Sequence, residues 1–391
     1  MTREVVVIGA GIVGVCLADA LSRERDIQVT VLDQAPDAPA GSTTFAPGFV
    51  GLYNDAPVLT ELAKASASTY DSVGTSFRRS GGLEIATSTD AAAVIEARVE
   101  AARAAGLPAR MRSAAWLPDS VTSFVDPSQI VALGDFPADG SADVVPVVRA
   151  LRQRATERGA RFCADRRVTD IDNERGRVVV HTASGERVPT DAVVLAVGVW
   201  GPALADRTGL RLPLFPVAHP YVYDKPRAHW RAGPFVRWPE HHVYARVHND
   251  RLGIGSYDHR PVSVTQQHLR DGAGLAWSPD LDPVIATAGH LLCPEARFIP
   301  EHRVNGVFAM TPDNLPFLGR HPGLENVWVA QALWVTHAAG AAQRLVDAFV
   351  ADEALPAELR VSRFDGLDNS GLRDRALRLY RDIYASDHEP A

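Results

Sequence analysis

Gly9, Gly11 and Gly14 stand at G-x-G-x-x-G spacing, and a carboxylate, Asp33, follows roughly 20 residues later. Glycines at those intervals leave no side chain between the backbone and an anion, so phosphate oxygens can rest on amides at a helix start. Ile12 and Val13 open that helix, and Asp33 offers an acceptor-only group to a pair of ribose hydroxyls. Past Gln34 and a Pro/Ala-rich turn comes Gly41-Ser42-Thr43-Thr44-Phe45-Ala46-Pro47-Gly48, whose short hydroxyls and glycines suit close approach by an extended dinucleotide. The same composition also describes a plain surface loop.

Such chemistry needs a strand, a helix and a second strand in order. Val5, Val6, Val7 and Ile8 form the first strand. A helix from Gly11 to about Arg25 would keep Val13, Leu17, Ala20 and Leu21 on one face, and Ile27, Val29 and Val31 alternate towards Asp33. The order reads as a dinucleotide-binding unit and does not by itself choose between NAD and FAD.

At 391 residues with 46% hydrophobic content, the chain is long enough for a large core divided between two lobes. A formal charge of −7 without a basic block argues against a nucleic-acid partner. The first strand begins too early to leave room for a secretory leader, and no run of about 20 apolar residues suggests a membrane span. Cys16, Cys163 and Cys293 lie far apart without metal-ligand spacing, so no metal is expected, and a reducing, cytoplasmic compartment is. A homo-oligomer is compatible with this composition.

Leu59, Leu62, Ala63, Ser66 and Tyr70 predict a helix over 57–70, followed by Phe77-Arg78-Arg79 and a strand over 81–86. Residues 90–105 predict an alanine-rich surface helix stopped by Gly106. A helix over 144–158 leads to a strand from Gly159 that reaches Val168, and a hairpin turns at Ser184-Gly185. Residues 191–201 form an apolar run ending in glycine, the pattern of a strand buried on both faces. Trp200 at its end packs either in the core or beside a ligand.

From 211 to about 303, prolines, aromatics and alternating residues replace the βαβ rhythm, which predicts an antiparallel sheet. Taken by itself, His219 reads as a satisfied structural histidine. The last block holds a proline-punctuated loop over 311–319, a strand over 326–330 and a helix opened near Trp334-Val335-Thr336-His337, with Thr336 as its N-cap. That helix start would favour negative charge, with His337 adding a charge of its own. Leu372, Ala376, Leu379, Tyr380 and Ile383 suggest a short closing helix.

The 9–14 fingerprint with Gly41-Ser42-Thr43-x-x-Ala46-Pro47-Gly48 resembles the FAD-dependent amine oxidoreductases of the D-amino-acid oxidase superfamily. It is most similar to the flavin half of the dimethylglycine oxidase and sarcosine dehydrogenase branch. The resemblance implies an α/β fold in which residues 1–80, 140–210 and 304–365 form an FAD-binding Rossmann-like lobe of the glutathione-reductase type. Residues 81–139 and 211–303 would form an α+β substrate lobe on an antiparallel sheet, and 366–391 a closing helix and tail. FAD would lie on Gly9, Gly11, Ile12, Val13, Gly14, Asp33, Gln34, Gly41, Ser42, Thr43, Thr44, Ala46, Pro47 and Gly48. Val168 would face its adenine, with Ala196, Gly198, Trp200, Val335 and Thr336 also against the cofactor.

The branch's pocket histidine and tyrosine fall on His219 and Tyr244, the implied catalytic pair, with Phe45, Tyr257, Arg246, Trp334 and His337 around the substrate. Phe45 stands where the branch carries a flavin-bonding histidine, so FAD is expected without a covalent tether. The implied reaction moves a hydride from a carbon beside an amine nitrogen to flavin N5 and leaves an iminium that water hydrolyses. An N-methyl amino acid would give the demethylated amine and formaldehyde, released because the relatives' folate-binding half does not follow. Electrons would pass to O2 or to an electron-transfer acceptor. A substrate carboxylate calls for an arginine, with Arg78, Arg246 and Arg297 as candidates. Rival readings are a D-amino-acid, glycine or cyclic-amine oxidase, a flavin-binding subunit inactive on its own, and an NAD-only dehydrogenase.

Overall fold

The computed structural model describes residues 2–35, 39–174, 176–270 and 272–384. Part of the Pro/Ala-rich turn (36–38) and the end of the tail (385–391) lie outside these residues.

The apolar run near the N-terminus becomes the strand Arg3–Ile8, inside a six-stranded sheet ordered Phe317–Arg320, Val327–Gln331, Ala192–Leu195, Arg3–Ile8, Ile27–Leu32, Arg161–Cys163. All its pairings are parallel except the one between Phe317–Arg320 and Val327–Gln331. Val5 and Val7 enter one apolar core and Val6 and Ile8 another, which explains a strand apolar at consecutive positions.

The helix Ile12–Leu21 is buried along all ten residues, so no single face was there to find. It ends before the expected Arg25, because Ser22 folds its hydroxyl back onto the Asp19 carbonyl at 3.0 Å and the chain turns to start the strand Ile27–Leu32. On this buried helix Asp19 gathers Arg154 (2.6 Å), Arg158 (3.0 Å) and Arg23 (2.5 Å), tying it to the helix Val144–Glu157. Burial alone would raise the Asp19 pKa, but the Arg154 hydrogen bond and the Arg23 charge hold it below the ordinary carboxylate value.

The strand expected from Gly159 to Val168 is two strands. Arg161–Cys163 joins the six-stranded sheet, and Val168–Glu174 pairs in a three-stranded sheet with Arg177–Thr182 and Arg187–Thr190. Asp165 breaks the run at φ +56°, and the Arg166 amide then bonds the Asp33 carbonyl at 2.7 Å.

The second large sheet has eight strands, ordered His302–Met310, Phe215–Tyr223, Arg251–Ser256, Val243–His248, Phe235–Trp238, Gly82–Ala86, Ala132–Phe136, Arg110–Arg112. It is antiparallel except where Phe235–Trp238 runs alongside Gly82–Ala86. Residue 304 falls inside the strand His302–Met310, which pairs with Phe215–Tyr223 along its length. Among the described residues no helix is long and apolar enough to cross a membrane. The three cysteines are free, and burial pushes the Cys16 thiol up to about 12.

Candidate active site

One cavity of about 1790 Å³ runs from the glycine turn of the six-stranded sheet to the aromatic face of the eight-stranded sheet. That exceeds the several hundred cubic ångströms typical of a single small-ligand pocket and has room for a dinucleotide with a second molecule.

At the first end, Gly9 sits at φ +104°, and a Cβ there would lie 2.4 Å from the Ala196 carbonyl oxygen. Gly9, Gly11, Ile12 and Val13 line the cavity, and no acidic residue occupies the first turn of Ile12–Leu21. Thr43 accepts the Ile12 amide hydrogen at 3.1 Å, which leaves its own hydroxyl proton for an anion. The Asp33 carboxylate accepts from Ala10 N at 2.5 Å and Ala35 N at 2.7 Å, each oxygen keeps further acceptor capacity, and the residue lines the cavity.

Gln34, Gly41, Ser42, Ala46, Pro47, Gly48, Val168, Ala196, Gly198, Trp200, Val335 and Thr336 also line the cavity. Trp200 donates to the Leu269 carbonyl at 3.1 Å and lies over Gly41, where a Cβ would come 3.1 Å from its ring. Gly14 and Thr44 do not line it. A Cβ on Gly14 would meet the Gly9 carbonyl at 1.8 Å, so that glycine serves helix-to-strand packing, and the Thr44 hydroxyl bonds the Pro39 carbonyl.

The cap expected at Thr336 is displaced by one residue. The helix Ala338–Ala351 takes His337 as N-cap, while the Thr336 hydroxyl donates to the Phe49 carbonyl at 3.0 Å and the Gly340 amide finds Ser66 Oγ at 2.8 Å. Burial lowers the His337 pKa to about 4, so this histidine brings no charge to the helix start.

The far wall is aromatic. Tyr244, on Val243–His248, faces Gly255 across one strand pair, and His219, on Phe215–Tyr223, faces Gly306 across another. A Cβ on Gly255 would lie 2.5 Å from the Tyr244 ring, so the glycine gives that ring its place over the neighbouring strand. Tyr244 Oη lies 2.6 Å from His219 Nε2. Burial, with the His259 charge, pushes the His219 pKa well below its ordinary value, and burial pushes Tyr244 well above its own. Both are neutral, and with its hydrogen on Nδ1 His219 would offer Nε2 as an acceptor for the tyrosine proton.

Tyr257, Trp334 and Phe45 line the same end, and Phe45 packs into space left by Gly274 and Gly306. Tyr221, Phe235, Phe308 and Tyr384 complete the wall.

Of the three arginines proposed for a carboxylate, none lines the cavity. Arg246 is held by Asp143 at 2.6 Å and the Ala142 carbonyl at 3.2 Å, Arg78 also pairs with Asp143, and Arg297 donates to the Leu292 and His290 carbonyls. Arg237 is among the arginines that do line it, and it stands at the aromatic end. It is buried, bonded to Glu84 at 2.6 Å, set 4.5 Å from the Phe49 ring centre, and its Nε has no partner among the described residues. The signal for it was a charge inside the otherwise apolar Phe235–Trp238 strand.

The sequence profile of the DAO family, described as FAD dependent oxidoreductase, matches residues 4–348. Human mitochondrial dimethylglycine dehydrogenase is 26% identical over 369 residues, covering 88% of this chain and 42% of that protein. The chain thus spans less than half the length of that relative. Glycine oxidase of Geobacillus kaustophilus is 23% identical over 353 residues, covering 84% of this chain and 86% of that one. Among solved structures, L-proline dehydrogenase from P. horikoshii superposes with a TM-score of 0.82 at 21% identity, covering 93% of this chain and 98% of that one. With a family match over most of its length and a glycine-turned α/β sheet at the head of a long cavity, the chain belongs to the DAO family, whose description is FAD dependent oxidoreductase.

Proposed function

We propose that this protein oxidises a secondary or tertiary amine, an N-methyl amino acid such as dimethylglycine or sarcosine, in the cavity between its two large sheets. The observation that carries the reading is the buried, neutral Tyr244–His219 pair on the wall opposite the glycine turn.

FAD fits the other end. Its phosphates would meet the Val13 amide and the Thr43 hydroxyl, its ribose the Asp33 carboxylate, and its adenine Val168. In this reading the six-stranded sheet carries the cofactor and the eight-stranded sheet the substrate. Phe45 offers no atom for a covalent bond, so the cofactor is held by contacts alone. When bound, FAD supplies a hydride acceptor for a carbon beside an amine nitrogen.

The residues of this chain do the rest. The Tyr244 proton is engaged by His219 Nε2, so the Tyr244 oxygen presents lone pairs to an ammonium proton and draws it away, leaving the neutral amine that reacts. Tyr257, Phe308 and Trp334 hold the alkyl groups and exclude water. Arg237, whose buried Nε has no partner among the described residues, would take the substrate carboxylate. Three free cysteines accord with a reducing compartment such as the cytoplasm.

Tyr244→Phe keeps the ring and removes the hydroxyl, and it is expected to slow anaerobic flavin reduction by about 10²-fold or more. An unchanged rate would remove the pair from the chemistry. A second reading, oxidation of glycine, a D-amino acid or a cyclic amine, draws on the likeness to glycine oxidase. Relative turnover of sarcosine, dimethylglycine, D-proline and D-alanine separates the two.

A further inference from the structure

The Tyr244–His219 pair does not end at His219. Its other ring nitrogen, Nδ1, lies 2.7 Å from the hydroxyl of Tyr380, a residue of the closing helix Asn369–Arg381. Tyr380 Oη in turn lies 2.8 Å from His259 Nε2, and His259 Nδ1 lies 3.0 Å from the Arg260 carbonyl. Tyr244 and His219 line the cavity, Tyr380 is fully enclosed, and His259 is half-buried on a loop whose neighbours Asp258 and Arg260 are exposed.

One carbonyl sets the direction of the whole chain. The Arg260 oxygen can only accept, so His259 Nδ1 carries a hydrogen, and neutral His259 offers Nε2 as an acceptor. Tyr380 therefore donates to His259, its oxygen accepts from His219 Nδ1, and His219 Nε2 accepts from Tyr244. Every donor points outward from the cavity. A second acceptor, the Ala218 carbonyl, stands 3.1 Å from Tyr380 Oη and can receive that hydroxyl once His259 carries two hydrogens.

We propose that Tyr244, His219, Tyr380 and His259 form a proton relay that carries the proton of a bound ammonium substrate out of the cavity. The ammonium N–H bond breaks as its proton joins the Tyr244 oxygen. The Tyr244 proton passes to His219 Nε2, the His219 Nδ1 proton to Tyr380, and the Tyr380 proton to His259 Nε2. The products are a neutral amine and a His259 imidazolium, which discharges to solvent, and no electrons change hands. Tyr380 and His259 touch neither substrate nor cofactor and act through the inner pair.

The groups that bear on this path are few. Tyr257 and Phe308 pack on His219 and Tyr257 also packs on Tyr380, while burial lowers the His259 pKa against the opposing pull of its Arg260 carbonyl bond and of Asp258 on its own loop. The His219 ring is disfavoured as a resting place for charge by burial and by His259. His259, half-buried beside exposed Asp258 and Arg260, is the member of the chain from which the proton can leave to solvent.

The relay takes its substrate from the amine reading and its path from geometry alone, so two measurements on the FAD-loaded protein are paired. In the first, ¹⁵N-labelled histidine is followed by NMR through a pH titration. The His219 nitrogens are expected to shift at the same midpoint as His259 in the wild type, and to lose that coupling in Tyr380→Phe and His259→Gln. In the second, anaerobic flavin reduction is timed with a tertiary amine across pH. Tyr380→Phe is expected to be at least about tenfold slow at neutral pH, with the gap closing as pH passes the free amine's own pKa. His219 signals that ignore the His259 titration in the wild type, or a rate deficit constant with pH, would overturn the relay. A wild type that shows the coupling but is bleached by no amine would reject the amine reading and leave the relay standing.

Discussion

Gly255 offers the sharpest test of how the aromatic wall is built, because it sits opposite Tyr244 in the register of the sheet and makes room for its ring. A Cβ at this position would fall 2.5 Å from Tyr244 Cζ, 2.6 Å from its hydroxyl oxygen and 2.7 Å from Tyr221 Cδ2. Ordinary van der Waals contact begins near 3.4 Å, so Gly255→Ala requires the Tyr244 hydroxyl to move by about 1 Å, enough to cost roughly 10²-fold in rate at a positioned group. The rings of Tyr221 and Phe235 each lie 5.5 Å from that of Tyr244 and nearly parallel to it, so the shift is not absorbed by a free rotation.

Overpacking of this kind costs about 1–3 kcal/mol, less than the 5–15 kcal/mol that holds a typical domain together. The variant should therefore fold. The glycine turn is in the other sheet, so FAD content should equal that of the wild type. The assay is stopped-flow anaerobic flavin reduction with the best amine, set beside the FAD-to-protein ratio. A variant with full FAD and an unchanged reduction rate would refute the claim that the place of the Tyr244 hydroxyl matters.

Further outcomes follow from other parts of the structure. Asp33→Ala removes a charged acceptor from the Ala10 and Ala35 amides and is expected to weaken FAD binding by about tenfold to a hundredfold, read by titrating apoprotein with FAD. Asp19→Ala leaves three partly exposed arginines around an empty position and should cost about 1–3 kcal/mol in urea unfolding at neutral pH. Because the folded Asp19 pKa is depressed, its stabilisation is present above the ordinary carboxylate pKa and is lost as pH falls through the lower folded value, so the variant and wild-type curves should converge in acid. Acid precipitation of the wild type should release all yellow colour to the supernatant, since Phe45 cannot bond a flavin; colour fixed in the washed pellet would contradict that.

What was legible in the sequence is what short-range chemistry dictates. Glycines that must admit a phosphate, a carboxylate at a strand end and a hydroxyl-rich loop announce themselves by type and spacing, and the structure gathers nearly all of them on one cavity. Pairings across strands and helices do not announce themselves. Arg246 looked as suited to a carboxylate as any arginine until Asp143 was seen to hold it, and Arg237 passed unnoticed in a short strand. Tyr380 read as one member of an apolar stripe with Leu372 and Ala376, and its ring is indeed in the core. Only the fold brings its hydroxyl to two histidines more than a hundred residues away. The break at Asp165 and the one-residue shift of the last helix cap have a similar origin, because the partners that decide them, Asp33, Phe49 and Ser66, are remote in sequence.

The claim on which the rest depends is that an amine placed against Tyr244 and His219 reduces the flavin held by the glycine turn. The direct measurement is the visible spectrum of purified, FAD-loaded protein mixed without oxygen with dimethylglycine, sarcosine, D-proline and D-alanine in turn. The account predicts that the N-methyl glycines bleach the yellow band fastest. A band that dithionite removes but that every amine leaves intact would contradict it.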